Sequence, residues 1–490
     1  MVAVGPKVDN LVNPVKHLAK RLTISKVSKW RERLGLPVTV NDIHSQLNET
    51  QVRKVVRPIS DNHVAELVRK SPVAISGGRH AMGGQAFATG ETLLDMRGMN
   101  RVLSVDESRG TAFVEAGIQW PDLYKGLDNG DEFHWTFRQK QTGGDRLTVG
   151  GSLAANIHSR GLTMKPMVDD IESFQIVVAG GEIKRVSRTE NADLWRLAIG
   201  GYGLFGVVTA VELHLVKRFK VRRRVQVRRV AGLAEAFADR IADGYTFGDF
   251  QFAIDPESDG FLDEGVFACY ESVDGSTPIR ADQRKVPRAA WHHLAYLAHE
   301  RKAEAFQQYR KFYESTDGQI YWSDQHQMTA YLDDYHAKLD RRLKANCKGS
   351  ELITELYVPR PRLEAFLAAA RQEMRKQKAN VIYGTIRWIE PDTETLLAWA
   401  REPWACIIFN LHVDHDVAGL DRARAQFRTL IDLALAEGGT FYLTYHRWAS
   451  KEQITRAYPA MGQFLAEKQR RDPQERFTSD WYRHLNATMA

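Results

Sequence analysis

Two glycine-rich segments constrain this chain more than anything else in it: VAISGGRHAMGGQ (Val73 to Gln85) and TGGDRLTVGGSLAANIHSRG (Thr142 to Gly161). In the first, a short apolar run of β type ends in glycines that surround one histidine, His80. In the second, paired glycines lead into small residues that can open a helix, whose free amides would face an anion. Glycine lets the main chain approach an anion's oxygens, and successive N–H groups form a nest for them. Two such loops suit a long ligand with a diphosphate in its middle. Tight turns between strands are the plainer reading, and residue types alone leave both open. A Walker loop is excluded, because GGRHAMGGQ lacks the Gly-Lys-Ser/Thr ending. GYGLFG (Gly201 to Gly206) has GxGxxG spacing, but a helix-like stretch precedes it and a strand follows. That order is the reverse of the dinucleotide-binding turn.

Around these loops, from Val52 to Val216, short β-rich runs (TLLDM, RVLSV, TAFVEA, FGVVTAVELHLV) alternate with helix candidates (NHVAELVRKS, WPDLYKGLD, NADLWRLAIGG). The pattern predicts an α+β fold. After KRFKVRRRVQVRRV the texture changes to charged helices (ALAHERKAEAFQQYRKFYES, RLEAFLAAARQEMRKQK) between strands ELITELYV, NVIYGTIRWI and ACIIFNLHV. The expected division is a basic N-terminal extension over 1–50, a first domain over 51–217, a second over 218–437, and a segment over 438–490 that docks back. Tyr442, Tyr445, Trp448, Trp481 and Tyr482 make that last segment too aromatic for an unpacked tail.

With 490 residues the chain is too long for one ordinary core. It has no apolar run of about 18 residues, so no membrane-spanning helix is expected. No apolar stretch of signal-peptide type opens it, and its three cysteines lie far apart, which fits a reducing cytoplasm. The net charge of +7 is mild, and much of it falls in the first 35 residues. A solvated basic helix is expected there, with contact to an anionic membrane surface as the sharper reading. Basic residues elsewhere are interleaved with acids, which argues against nucleic acid as a partner.

The order GGRH-x-x-GGQ, TVGGSLAANIHSRG, VAGGE and AIGGYGLFGVVT resembles the FAD-binding domain of the vanillyl-alcohol oxidase / p-cresol methylhydroxylase superfamily. The second half is similar to the cap domain of its sugar and polyol oxidases. Alditol and aldonolactone oxidases, cytokinin dehydrogenases and decaprenylphosphoryl-ribose oxidases are the relatives in view. The resemblance implies a PCMH-type FAD-binding domain of two α+β subdomains, and a cap domain with an antiparallel sheet and flanking helices. It also implies FAD bonded covalently through His80, with Ser76, Gly77, Gly78, Arg79, Gly84 and Gln85 beside it. Thr148, Gly150, Gly151, Ser152, Asn156, His158 and Gly161 follow from the second loop, Gly203 and Val208 from the adenine end, and Tyr482 from the tail. A neutral imidazole is a good nucleophile, which suits His80 to that bond. A second bond through cysteine is excluded, since RQKQTGGDRLTVGG contains none. TYHRW departs from the HWGK stretch of aldonolactone and alditol oxidases.

The implied activity is oxidation of a CH–OH group on a sugar, polyol or lactone, with oxygen or another electron acceptor closing the cycle. An FAD-dependent C–C bond oxidoreductase of sterol-reductase type, or a non-catalytic nucleotide- or lipid-binding scaffold, are the alternatives. Such chemistry needs a base and polar groups around the reacting carbon. Thr385 and Arg387 are two apart in IYGTIRW, as are Asn410 and His412 in FNLHVDH, so each pair shares a strand face. Glu355 and Tyr357 share one in ELYVPR, and Tyr445 and His446 come from the tail. His446 is the expected base, with His412 as second choice. His412 and His415 are three apart on a strand and point to opposite faces, which disfavours a metal site.

Overall fold

The computed structural model describes residues 36–127, 135–329 and 335–490. The expected basic helix, and any membrane contact through it, lies outside the described residues. Among these, no helix is long and apolar enough to cross a membrane.

The first glycine loop leaves the strand Val73–Ser76, which runs parallel to Thr92–Asp95 in a three-stranded sheet completed by Lys54–Val56. The helix Asp61–Lys70 covers it, begun by Ser60 accepting a bond from His63 N, and it buries Val64, Ala65 and Val68. The second glycine loop opens the helix Val149–Ala155, where Thr148 accepts from Gly151 N. That helix packs beside a six-stranded antiparallel sheet whose long member is Val207–Lys217. GYGLFG therefore precedes a strand, as its sequence context requires.

The chain passes to a second sheet at Arg218 and Phe219, because the next strand, Lys220–Arg229, pairs with Glu264–Val273. The second sheet has eight strands. At its centre lie Tyr245–Phe252, Val381–Ile389, Trp404–Asp414 and Gly349–Pro359. Helices Leu363–Lys376 and Val417–Ala436 bury Phe366, Leu367, Phe427 and Leu430 on its outer side. The predicted helix through AHERKAEAFQQYRKFYES is two helices, Arg288–Glu300 and Lys302–Glu314, because Arg301 leaves helical geometry at φ −141°.

The C-terminal segment crosses both halves. Thr440–Phe441 adds to the edge of the eight-stranded sheet beside Leu356 and Tyr357. Further on, Val73 N donates to Arg476 O at 2.8 Å and Thr478 N to Val73 O at 3.1 Å, so the tail pairs with the strand that carries the first glycine loop.

Candidate active site

A cavity of about 1690 Å³ lies between the glycine loops and one face of the eight-stranded sheet. Ordinary small-ligand pockets span about 300–1,000 Å³, so this one has room for more than a single small molecule. Strand periodicity explains its chemistry. Tyr383, Thr385 and Arg387 alternate with apolar residues on one strand, Cys406, Ile408 and Asn410 on the next, and Glu351, Ile353, Glu355 and Tyr357 on the third. Cross-strand register pairs Arg387 with Cys406 and Cys406 with Tyr357, so these sets share the inward face.

On the loop side, Gly77, Gly78, Arg79, His80, Gln85, Thr148 and Gly151 line the cavity. Other residues expected around the cofactor stand behind that wall. Ser76 Oγ bonds Leu94 O, and Ser152 Oγ accepts from Trp120 Nε1. Asn156 caps its helix at φ +49° and donates to Asp392. Gly150 admits Ala116, Gly161 admits the Met164 side chain, and Gly84 (φ +84°) turns beside Trp481 N. Gly203 backs onto Ile75, and Val208 sits in its strand opposite Ile176; neither lines the cavity. Tyr482 is buried away from it, its hydroxyl donating to Glu475 at 3.1 Å.

A Cβ on Gly78 would lie 2.1 Å from the Arg146 carbonyl oxygen. The glycine is thus required by contact between the two loops themselves. Gly78→Val should separate them, lowering both the melting temperature and the flavin content of the purified protein. A variant as yellow and as stable as the parent would refute this.

His80 is buried, with Nδ1 2.8 Å from His44 Nε2. Burial, and then the neighbouring His44, hold its ring well below the ordinary imidazole range, so it is neutral at pH 7.

At the inner wall, Glu355 gathers four donors. Its Oε1 accepts from Tyr357 (2.5 Å), Cys406 Sγ (3.3 Å) and His158 Nε2, and its Oε2 from Tyr445 (2.9 Å). His158 Nδ1 faces the Ser159 carbonyl at 3.0 Å and must carry hydrogen there. Its Nε2 faces the Glu355 carboxylate. Burial raises the Glu355 carboxyl, but His158 and Tyr357 outweigh it and hold it down to about 2. The His158, Glu355 and Cys406 ligand atoms lie within 4.8 Å of one another, and these hydrogen bonds account for all three. His158 therefore works behind the cavity wall.

Arg387 is only 3 % exposed and lines the cavity, with Nε and one terminal nitrogen unbonded. Asn410 and Tyr445 line it too, whereas Thr385 is fully buried behind the surface.

Neither expected histidine base is there. His446 turns to a separate, smaller cavity with Arg424, Arg428 and His484, its ring 3.6 Å from that of Trp448. Burial pushes its pKa well down. His412 lies at the strand end, with Nε2 bonded to Asp414 at 3.2 Å and its ring edge-on to His299. The cavity instead holds Glu351, which sequence reasoning passed over. Asn410 Nδ2 donates to its Oε2 at 3.2 Å, and His336 Nε2 is 3.8 Å from Oε1. Burial raises its carboxyl to about 7, with the Asn410 bond opposing. The alternation of Glu351, Ile353, Glu355 and Tyr357 in ELITELYV was the available signal.

Two observations fit FAD to this site. Bare glycine backbone from both loops faces the cavity beside the half-buried Arg79 guanidinium, which suits a diphosphate. Arg387 keeps unbonded donors at the sheet wall, which suits the polar edge of a flavin ring.

Comparison with known proteins agrees. An FAD binding domain model matches residues 49–187. L-gulono-1,4-lactone dehydrogenase of Mycobacterium tuberculosis is 23% identical over 450 residues, covering 88% of this chain and 95% of that protein. Cytokinin dehydrogenase 7 of Oryza sativa subsp. japonica is 30% identical over 185 residues, covering 35% of this chain and 34% of its own. L-gulonolactone oxidase of Mus musculus is 29% identical over 168 residues, covering 33% and 37%.

Proposed function

We propose that this chain, an FAD-dependent oxidoreductase of the FAD-linked oxidase superfamily, oxidises a CH–OH group of an aldonolactone- or sugar-like alcohol. The observation that carries this reading is the polar inner face of the eight-stranded sheet, set opposite the glycine loops across one cavity. The enzymes named above, lactone oxidoreductases among them, support it over the C–C bond and non-catalytic alternatives. When bound, FAD supplies the two-electron acceptor.

The chain's own residues then divide the remaining work. Gly77, Gly78, Arg79 and Gly151 hold the cofactor's diphosphate. Arg387 supplies fixed positive charge where negative charge develops, in a buried site where that charge is not screened by water. Tyr445 donates its hydroxyl hydrogen bond to Glu355, so its oxygen offers the cavity an acceptor that orients a substrate hydroxyl. Glu351 takes the hydroxyl proton, since a carboxyl raised to about 7 is matched to proton uptake near neutral pH. Asn410 holds that carboxylate in place.

The sign of the pH dependence follows. Glu351 accepts a proton only when ionised, so flavin reduction should accelerate as pH rises through about 7 and level off above. Glu351→Gln should slow it roughly 10²–10⁴-fold and flatten the profile. Anaerobic stopped-flow mixing with a panel of aldonolactones, alditols and glycosides measures both. A flavin that no alcohol bleaches would end the CH–OH reading. A Gln variant close to the parent, with the same pH profile, would end the role of Glu351.

A further inference from the structure

The tail turn that carries Tyr445 has a second cavity behind it. Thr444 and Tyr445 line the central cavity, whereas His446, Arg447 and Trp448 line the smaller one. Its volume is about 610 Å³, within the range of small-ligand pockets. Bonds from both sides fix the turn between the two. Met82 N donates to Thr444 O at 3.0 Å, Gln85 Nε2 to Leu443 O at 2.7 Å, and Arg428 Nε to Trp448 O at 2.7 Å.

The lining of this second pocket has one sign of charge. Arg424 and Arg428 come from the helix Val417–Ala436, Arg447 from the turn, and Lys451 from the helix Lys451–Ala457. His484 joins them from the C-terminal helix Asp480–Met489. Among the described residues, no Asp or Glu lines the pocket. Asp421 pairs with Arg424 at 2.9 Å on the exposed side of its helix, and no carboxylate of the described residues pairs with Arg428, Arg447 or Lys451. Like charges gathered in a cleft repel one another and concentrate anions from solution. His446 supplies an independent observation. It is only 8 % exposed, its Nδ1 is shut off from solvent without a partner, and no described residue bonds its Nε2. A buried polar group of this kind is unfavourable unless something bonds it. With Nδ1 enclosed, Nε2 is the atom that meets the pocket.

We propose that this pocket binds a small phosphate ester or diphosphate, at a site separate from the cavity that takes FAD. The cations reach it from four elements, which suits a tetrahedral group with acceptor oxygens on several sides. A planar carboxylate would engage one side of that ring. Leu47, Leu420 and Trp448 add carbon to the lining, and the volume exceeds that of a lone phosphate, so an organic portion is accommodated.

The test is calorimetric titration of inorganic pyrophosphate into the FAD-loaded full-length protein, at an ionic strength fixed with chloride. It should show one site with a Kd below about 1 mM, a modest yield for a ligand of this size. Arg447→Gln should weaken binding roughly 10–100-fold, the share of one charge-assisted hydrogen bond. His446→Phe keeps a ring against Trp448 but removes both nitrogens, and should weaken it roughly 3–10-fold. Lys451→Gln, at an exposed position, should cost about threefold or less. Arg447 also approaches Gly84, so Arg424→Gln is the second cation variant should Arg447→Gln misfold. Circular dichroism and FAD content of each variant should match the parent. Competition then identifies the source of the phosphate. Displacement by glycerol 3-phosphate assigns a soluble ester, displacement by phosphatidylcholine vesicles carrying phosphatidate assigns a lipid headgroup, and either supports the site. Absence of saturable binding up to about 10 mM overturns the proposal, as does a Kd within about twofold of the parent in both the His446 and the cation variant. Tighter binding of citrate would give the pocket to polycarboxylates and overturn it equally.

Discussion

Glu355→Ala should cost about 3–5 kcal/mol of stability, the usual loss when one partner of a buried ion pair is removed. The carboxylate is fully buried and accepts from His158, Tyr357, Cys406 and Tyr445. Alanine would leave the His158 ring and three other donors in a dry core with nothing to accept their hydrogens. In a chain of 490 residues the loss should appear as a melting temperature lower by about 3–5 °C. Glu355→Gln keeps the volume and one acceptor oxygen, so it should fall between. The pairing also sets an acid limit. A carboxyl held down to about 2 contributes stability that is complete above its unfolded value near 4.5 and is lost as pH falls toward 2. Thermal scans of the three proteins between pH 3 and 8 test both statements. An alanine variant within a degree of the parent would show that water or a neighbouring residue replaces the carboxylate.

His80→Ala should change the fate of the flavin from all to none. In the parent, yellow colour should remain with the protein through acid precipitation. In the variant it should stay in the supernatant, and the flavin that rebinds should have a lower reduction potential. The geometric basis is a buried, neutral imidazole at the cavity wall, with its Nδ1 set against His44. A neutral ring keeps a lone pair for bonding carbon, which an imidazolium lacks. Release of all flavin from the acid-treated parent would assign the cofactor to non-covalent binding and leave His80 as a wall residue.

The parts of this architecture that are written locally were legible in the sequence. Glycine loops after apolar runs, the Thr148 cap and the alternation in IYGTIRW each depend on neighbours only a few residues away. So Arg387 and Asn410, expected from strand alternation, and Gly77 to His80, expected from the family resemblance, all line the one cavity. The proposed base, Glu351, was not among the expected residues, because the place of such a group depends on how distant segments meet. His446 is two residues from Trp448, and that ring, together with Arg424 and Arg428 of a distant helix, draws it to the opposite side of the tail from Tyr445. Glu351 had a local signal but sat in a strand whose neighbours were unknown. His44 could not be linked to His80 by any spacing rule, since a loop contact alone joins them.

The strand that launches the first glycine loop is completed by residues made long after it. Arg476 and Thr478 bond Val73, and Asp480 bonds Thr89 across a sequence separation of 391. During synthesis, the cofactor-binding half must therefore wait, with an open edge, until the whole intervening cap has been translated. Non-local pairings of this kind fold slowly and leave strand edges exposed meanwhile. Cofactor capture belongs to the end of biogenesis in such a chain. A nick in the cap would then be felt as failed flavin loading, although every residue that touches the diphosphate was already made.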